Sequence, residues 1–208
     1  MAQQLKDDVR DKILNSATEE FFVFGYEEAS LRRIASDAEM TAGNLYRYFA
    51  DKKDLYSFVK KDTFEKINEM IVEVSEGLFD LSKDNSSVRF EAKKFKSMLK
   101  NMADRFVDIY LIYPKQVQII LEDKDSTRRM YDWLENLFVS FIDNNYHIIG
   151  LKKEKRILAR SFAVANYDGF KEFFKDSQIK QPILKRMVSA YARLYIGMLE
   201  TDIRNFIG

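Results

Sequence analysis

Residues 25–55 read GYEEASLRRIASDAEMTAGNLYRYFADKKDL, and two short apolar patterns in this stretch decide the fold. Leu31, Ile34, Ala35 and Ala38 share one face of a helix that Ser30 opens, its hydroxyl suited to cap free helix N–H groups. Thr41 caps again a few residues later, and residues 42–48 form barely two turns with Leu45 and Phe49 as the inward pair. Two such helices joined by Glu39-Met40-Thr41 have helix-turn-helix spacing, in which the second helix enters a major groove.

Working outward, Val9, Ile13, Ala17, Phe21 and Phe24 recur at intervals of four and three and predict a helix over 7–24. Gly25 follows, where a left-handed terminating residue is usual. Downstream, Asp51 and Asp54 make a capping-box-like opening to a long helix over 52–79, with Leu55, Phe58, Val59, Ile67, Ile71 and Val74 as its buried stripe. A polar link at 81–87 is followed by helical patterns over about 88–112, 115–121, 126–148, 152–175 and 182–206. Pro114 and Pro182 start two of these, and Gly150 ends another.

Composition agrees with an all-α chain of about nine helices. Seven glycines and two prolines in 208 residues are far below the ~12% of ordinary usage, too few for a many-stranded sandwich or barrel. The absence of cysteine removes disulfides, thiol catalysis and cysteine-held metals. His147, the single histidine, has no partner at metal-ligand spacing, so a structural role is expected, with no metal, no cofactor and no catalytic residues. No apolar run approaches the ~18 residues of a membrane span, and the opening MAQQLKDDVRDK lacks a signal peptide's apolar stretch. A soluble, cytoplasmic protein that is not an enzyme is expected.

The charge is close to balanced, 34 basic against 33 acidic residues, and residues 1–62 hold 10 and 12 respectively. A nucleic-acid binder of this kind must place its cations rather than mass them. The 41–52 segment does so. Thr41 and the free amides of Ala42, Gly43 and Asn44 suit an anion. Gly43 lacks a Cβ and admits close backbone approach, and Arg47 can read a guanine edge with two hydrogen bonds. Tyr46 and Tyr48 offer phenols to phosphates, or stand as half-buried aromatics. Arg47 and Lys52 in most helices would be solvated charges, and only their place beside the turn promotes them. Arg32 is a better candidate for DNA contact than Arg33.

The same residues carry a family resemblance. Gly25-Tyr26, Ile34-Ala35, Gly43-Asn44-Leu45-Tyr46-Arg47-Tyr48-Phe49, Lys52 and Leu55 resemble, in register, the DNA-binding domain of TetR-family (tetracycline-repressor-like) transcriptional regulators. The resemblance covers roughly residues 9–60 and implies a helix-turn-helix DNA-binding domain at 1–51 with an effector-binding and dimerisation domain at 52–208. It implies a homodimer joined through its last two helices, a double-stranded DNA operator and a small-molecule effector. The aromatic and methionine content points to a small hydrophobic or aromatic effector, Asp104, Asp108 and Asp168 leave a cationic one open, and no membrane is expected. The resemblance also implies phosphate or base contacts by Arg32, Thr41, Ala42, Gly43, Asn44, Tyr46, Arg47, Tyr48 and Lys52. Two positions depart from the family pattern. Glu39 stands where glycine is common, at a left-handed cost of about 1–2 kcal/mol, and Ala29-Ser30 stands where two hydroxyl residues are common.

Aromatic and methionine side chains crowd the second half, and most of them predict plain helix-bundle core. A pocket would draw on Met102, Phe106, Tyr110, Trp133, Phe141 and Phe170, with Asn166 as a polar group of the pocket or of the subunit interface. The dimer face is expected at Ala159, Ala163 and Gly169 on one helix and Leu184, Val188, Tyr191, Tyr195 and Met198 on the other. The resulting expectation is a ligand-responsive regulator, most simply a repressor. The competing reading is an all-helical small-molecule carrier or enzyme with a vestigial DNA-binding domain.

Overall fold

The computed structural model describes residues 2–83, 92–145, 152–175 and 179–200. Among the described residues all regular structure is helical: α1 Ala2–Glu28, α2 Leu31–Asp37, α3 Ala42–Leu45, α4 Lys52–Lys83, α5 Ala92–Ile112, α6 Pro114–Glu122, α7 Lys124–Asn145, α8 Lys152–Glu172 and α9 Gln181–Glu200. None of these helices is long and apolar enough to cross a membrane. His147 lies outside the described residues, as do the side chains of Phe141 and Met198.

Compactness divides the chain into two units. The first runs to Lys66 and takes in Tyr113–Glu122, and the second comprises Ile67–Ile112 and the residues from Asp123 on. This differs from a break at residue 51, for a packing reason. The first unit's core is built from Ile13, Ala17 and Phe21 of α1, Ile34 and Ala35 of α2, Leu45 and Phe49, together with Leu55, Tyr56 and Val59 of α4 and Ile119 of α6. The start of α4 and Ile119 of α6 therefore bury their apolar side chains in the same core as the helix-turn-helix, at about 1.5–3 kcal/mol per fully buried large side chain.

Helix α1 runs past its expected end. Gly25 takes φ 68° and ψ 177°, a backbone state that only glycine enters cheaply, and the chain resumes helical turns to Glu28 beyond this kink. At the start of α4 the expected capping forms. Asp51 Oδ1 accepts from the Asp54 amide at 2.7 Å, and Asp54 Oδ2 accepts from the Ala50 amide at 2.9 Å.

In the second unit α5 packs on α9 and α7 on α8. Phe106, Tyr110, Phe170 and Phe174 close against one another with ring centroids 4.9–5.2 Å apart. Across the α7–α8 contact, Tyr131 meets Tyr167 edge-on, and Arg160 pairs with Asp132 at 2.6 Å and Glu135 at 3.3 Å. The expected dimer face is corrected in part. Ala159, Ala163, Leu184 and Val188 are at most 1% exposed within a single chain, so they hold the subunit itself together. Gly169 likewise serves its own chain: a Cβ there would lie 2.2 Å from the Tyr191 hydroxyl. That hydroxyl donates to the Asn166 carbonyl at 2.9 Å. Burial, then the hydrogen bond with Tyr195, raises the pKa of the Tyr191 phenol. The neighbouring stripe is the unpartnered one: Ile183, Met187 and Leu194 on α9, with Ile157 on α8, are exposed.

Candidate nucleic-acid interface

Helix α3 is too short to stand by propensity, so its neighbours must hold it. Leu45 and Phe49 are its anchors, both at most 1% exposed, and Thr41 Oγ1 accepts from the Asn44 amide at 3.3 Å. With the inward side fixed, Thr41, Gly43, Asn44, Tyr46 and Arg47 are left exposed, while Ala42 and Tyr48 are half-buried. Tyr46 is 54% exposed, the placement a phosphate contact needs. A Cβ on Gly43 would meet only Thr41 Oγ1, at 3.9 Å. The chain's own packing therefore does not require this glycine, and the open side faces outward.

The turn keeps its shape despite the missing glycine. Glu39 sits at φ 58°, alone among the described non-glycine residues in having a positive φ. The Met40 amide donates to the Ala35 carbonyl at 2.9 Å, closing the end of α2.

Helix α2 is set by a buried carboxylate that periodicity alone does not reveal. Glu20, 4% exposed, accepts from the Ser30 amide at 2.7 Å and from Arg33 Nε at 2.8 Å. Arg33 also donates to the Glu28 carbonyl at 2.9 Å and lies over the Phe24 ring. Its pKa is raised, chiefly by the hydrogen bond to Glu20. Arg33 is thus a structural cation, while Arg32 beside it is exposed. Lys52 is engaged in the same region: its ammonium donates to the Glu27 and Ala29 carbonyls, each at 2.9 Å. Three successive carbonyls at the end of α1 are covered by two cations, a common way to satisfy a helix C-terminus. Two of the three Lys52 N–H groups are committed there, and the ammonium also lies 4.9 Å from the Tyr26 ring centroid.

Residues 13–57 match the family described as bacterial regulatory proteins, tetR family. The helix-turn-helix segment is thus that of the TetR family's DNA-binding domain. A curated relative, the HTH-type transcriptional regulator HbdR of Aromatoleum sp. (strain CIB), is 31% identical over 75 residues, 36% of this chain and 33% of the relative. That match spans about a third of the relative's length. Two solved structures share the fold over nearly the whole chain. A TetR-like transcriptional regulator from Rhodococcus sp. RHA1 superposes with TM-score 0.60 at 14% identity, covering 93% of this chain and 97% of that one. The transcriptional regulator FadR from Bacillus subtilis, in complex with stearoyl-CoA, gives 0.52 at 17%, covering 89% and 96%.

The residues expected around an effector are distributed as follows. Phe106, Tyr110 and Phe170 meet in the aromatic cluster, whereas Trp133 donates its indole N–H to Ser75 Oγ at 2.9 Å. Met102 and Asn166 are half-buried, and the Asn166 carbonyl receives the Tyr191 hydroxyl. Tyr131 donates to Asp168 at 2.7 Å, and Asp168 pairs with Lys171 at 3.2 Å. Burial and then that hydrogen bond push the Tyr131 phenol up to about 12. Among the described residues no three metal-ligating side chains gather.

Proposed function

We propose that this chain is a DNA-binding transcriptional regulator, working as a homodimeric repressor that a small-molecule effector releases from a two-fold operator. The observation that carries the reading is the division of α3 and its flanks into two sides. Leu45 and Phe49 are buried, while Thr41, Gly43, Asn44, Tyr46 and Arg47 face outward around a backbone with no Cβ in the way. In the major groove Arg47 is the base reader, worth about 1–3 kcal/mol of discrimination. Thr41, Tyr46 and the remaining N–H of Lys52 hold phosphates, with Arg32, Ala42 and Tyr48 flanking.

Two copies are needed because a recognition helix this short reads only a few base pairs, and half-sites one DNA turn apart restore specificity. The exposed stripe of Ile183, Met187 and Leu194 with Ile157 supports an isologous dimer face on α8 and α9. The effector reading rests on the apolar and aromatic second unit, and the stearoyl-CoA complex of the B. subtilis relative makes a long acyl ligand a reasonable first probe. Helix α4 contributes to both units, so ligand and DNA are expected to oppose each other reciprocally, by the same factor in each direction.

The test is selection of duplexes from a random pool with the full chain at physiological salt. Enrichment of a two-fold sequence with half-sites one turn apart is expected, and retention without sequence preference would sink the regulator reading in favour of a carrier.

A further inference from the structure

We infer that α1 carries a phosphate-backbone contact of its own, Lys12, and that Glu39 in the helix-turn-helix turn is a built-in rival to DNA for this cation. The inference rests on the DNA-binding reading above and adds a residue pair that it does not use.

A groove of about 410 Å³ opens between the first turns of α1 and the helix-turn-helix. Lys6, Lys12, Glu39, Asn44, Arg47 and Tyr48 are among its lining residues. Three cations thus border a cleft shared with the base reader and the cap of the recognition helix, the charge pattern of a backbone-tracking groove. One acid interrupts it. Glu39 accepts from the Lys12 ammonium at 3.4 Å, and the two side chains are 81% and 61% exposed. The carboxylate stands on the left-handed residue of the turn, where a side chain is costly and glycine is the ordinary choice. Nothing else in the turn's hydrogen bonding uses that carboxylate: the Met40 amide closes onto Ala35, and the Asn44 amide onto Thr41.

An exposed pair of this kind is weak and solvent-screened. It cannot be holding the fold together, but it is well matched to be exchanged. A DNA phosphate entering the groove takes the Lys12 ammonium and leaves Glu39 facing a like charge. Freeing Glu39 offsets part of the counterion release, so the paired Lys12 contributes only a fraction of the roughly one ion that a free Lys12 would contribute. Glu39 therefore weakens binding to all sequences alike and blunts its salt dependence. That raises the share of affinity that must come from base contacts.

The experiment uses the full chain and a random-sequence duplex, with affinity measured between about 50 and 200 mM salt. Lys12→Ala should weaken binding and make the slope of log affinity against log salt shallower by a fraction of one, and by about one in the Glu39→Gln background. Glu39→Gln should tighten binding about two- to fivefold and steepen the slope by up to about one. Glu39→Gly should bind as Glu39→Gln does and melt at a higher temperature, since it also removes the left-handed side chain. Lys115→Ala, which removes a cation paired with Glu19 outside this groove, should leave the slope unchanged. Wild-type slopes for Lys12→Ala and Glu39→Gln overturn the inference while leaving the DNA-binding reading intact. An equal change from Lys115→Ala reduces the effect to bulk charge and also overturns it. If the wild type retains no duplex of any sequence, both readings fall.

Discussion

Gly43 and Gly169 lie in helices of different units, and the contrast between them separates what each unit is built for. At Gly169 the missing Cβ is filled by the chain's own Tyr191, whose hydroxyl is tied to main-chain carbonyls of α8. At Gly43 it is filled by nothing but the edge of a threonine hydroxyl. One glycine is consumed by internal packing, and the other is held open toward the outside. The same contrast runs through the side chains. The first unit uses polar groups to fix a short helix in place, with Glu20, Ser30 and Arg33 tying α1 to α2 and Lys52 tying the start of α4 to the end of α1. The second stacks aromatic rings and leaves an apolar stripe exposed along α9.

The harshest way to break the first unit is Phe49→Ala. Phe49 is 1% exposed and meets Phe58 edge-on, so truncation should cost about 3–5 kcal/mol, read as a lowered midpoint in thermal or denaturant unfolding. DNA binding should disappear with it.

In the second unit the matching probe is Leu194→Glu. This residue is 68% exposed in the single chain, so folding should be unaffected. A charge placed in the proposed dimer face should dissociate the pair, because an unpaired buried charge costs several kcal/mol. Light scattering should then report a mass near 24.6 kDa in place of twice that. A variant that stays dimeric would move the interface elsewhere.

The two glycines supply a finer pair. Gly169→Ala drives a methyl into Tyr191 and should cost about 1–2 kcal/mol of stability. Gly43→Ala should leave the melting temperature equal or slightly raised, by no more than about 1 kcal/mol. It should nevertheless weaken binding to the selected duplex by roughly tenfold, about 1.4 kcal/mol. If Gly43→Ala loses stability instead, the open side of α3 is not a docking face.

The smallest effect concerns alkaline pH. Tyr131 ionises at about 12 in the folded chain against 10 for a free phenol. Between those values the unfolded state has lost the proton that the native state keeps, so stability falls as pH rises. Its contribution is full below pH 10 and gone above about 12. Tyr131→Phe should flatten the stability curve in that window and leave the neutral-pH activity alone.

Much of this was legible in the sequence, for reasons that mark where legibility ends. Helix existence follows from apolar spacing, so α1, α2 and the six helices from α4 on were placed to within a few residues at most ends. The candidate interface was legible because its caps and anchors are local: Thr41, Leu45 and Phe49 act within a few positions of one another. Glu20 was not legible. In an amphipathic count it is one more polar residue beside Phe21, and only the return of Ser30 and Arg33 over α1 makes it a buried keystone. Lys52 was read as a free cation because its carbonyl partners arise from the kink at Gly25, which carries α1 on to Glu28. Leu184 and Val188 of α9 were assigned to the wrong partner for a related reason. Periodicity marks Leu184 and Val188 as buried without saying whether the burying surface belongs to the same chain.

The contribution of Ile119 to the first unit's core bears on how the protein is born. A ribosome adds about 5–20 residues per second, and the core that supports α3 is incomplete until α6 has been made, more than fifty residues after α4 leaves that core at Lys66. For several seconds the nascent DNA-binding head must wait with an apolar slot unfilled. A gene fragment that stops at residue 66 would leave the slot empty permanently. Grafting the head onto another sensor therefore means transplanting two separate stretches of the gene, with α6 travelling alongside the helix-turn-helix.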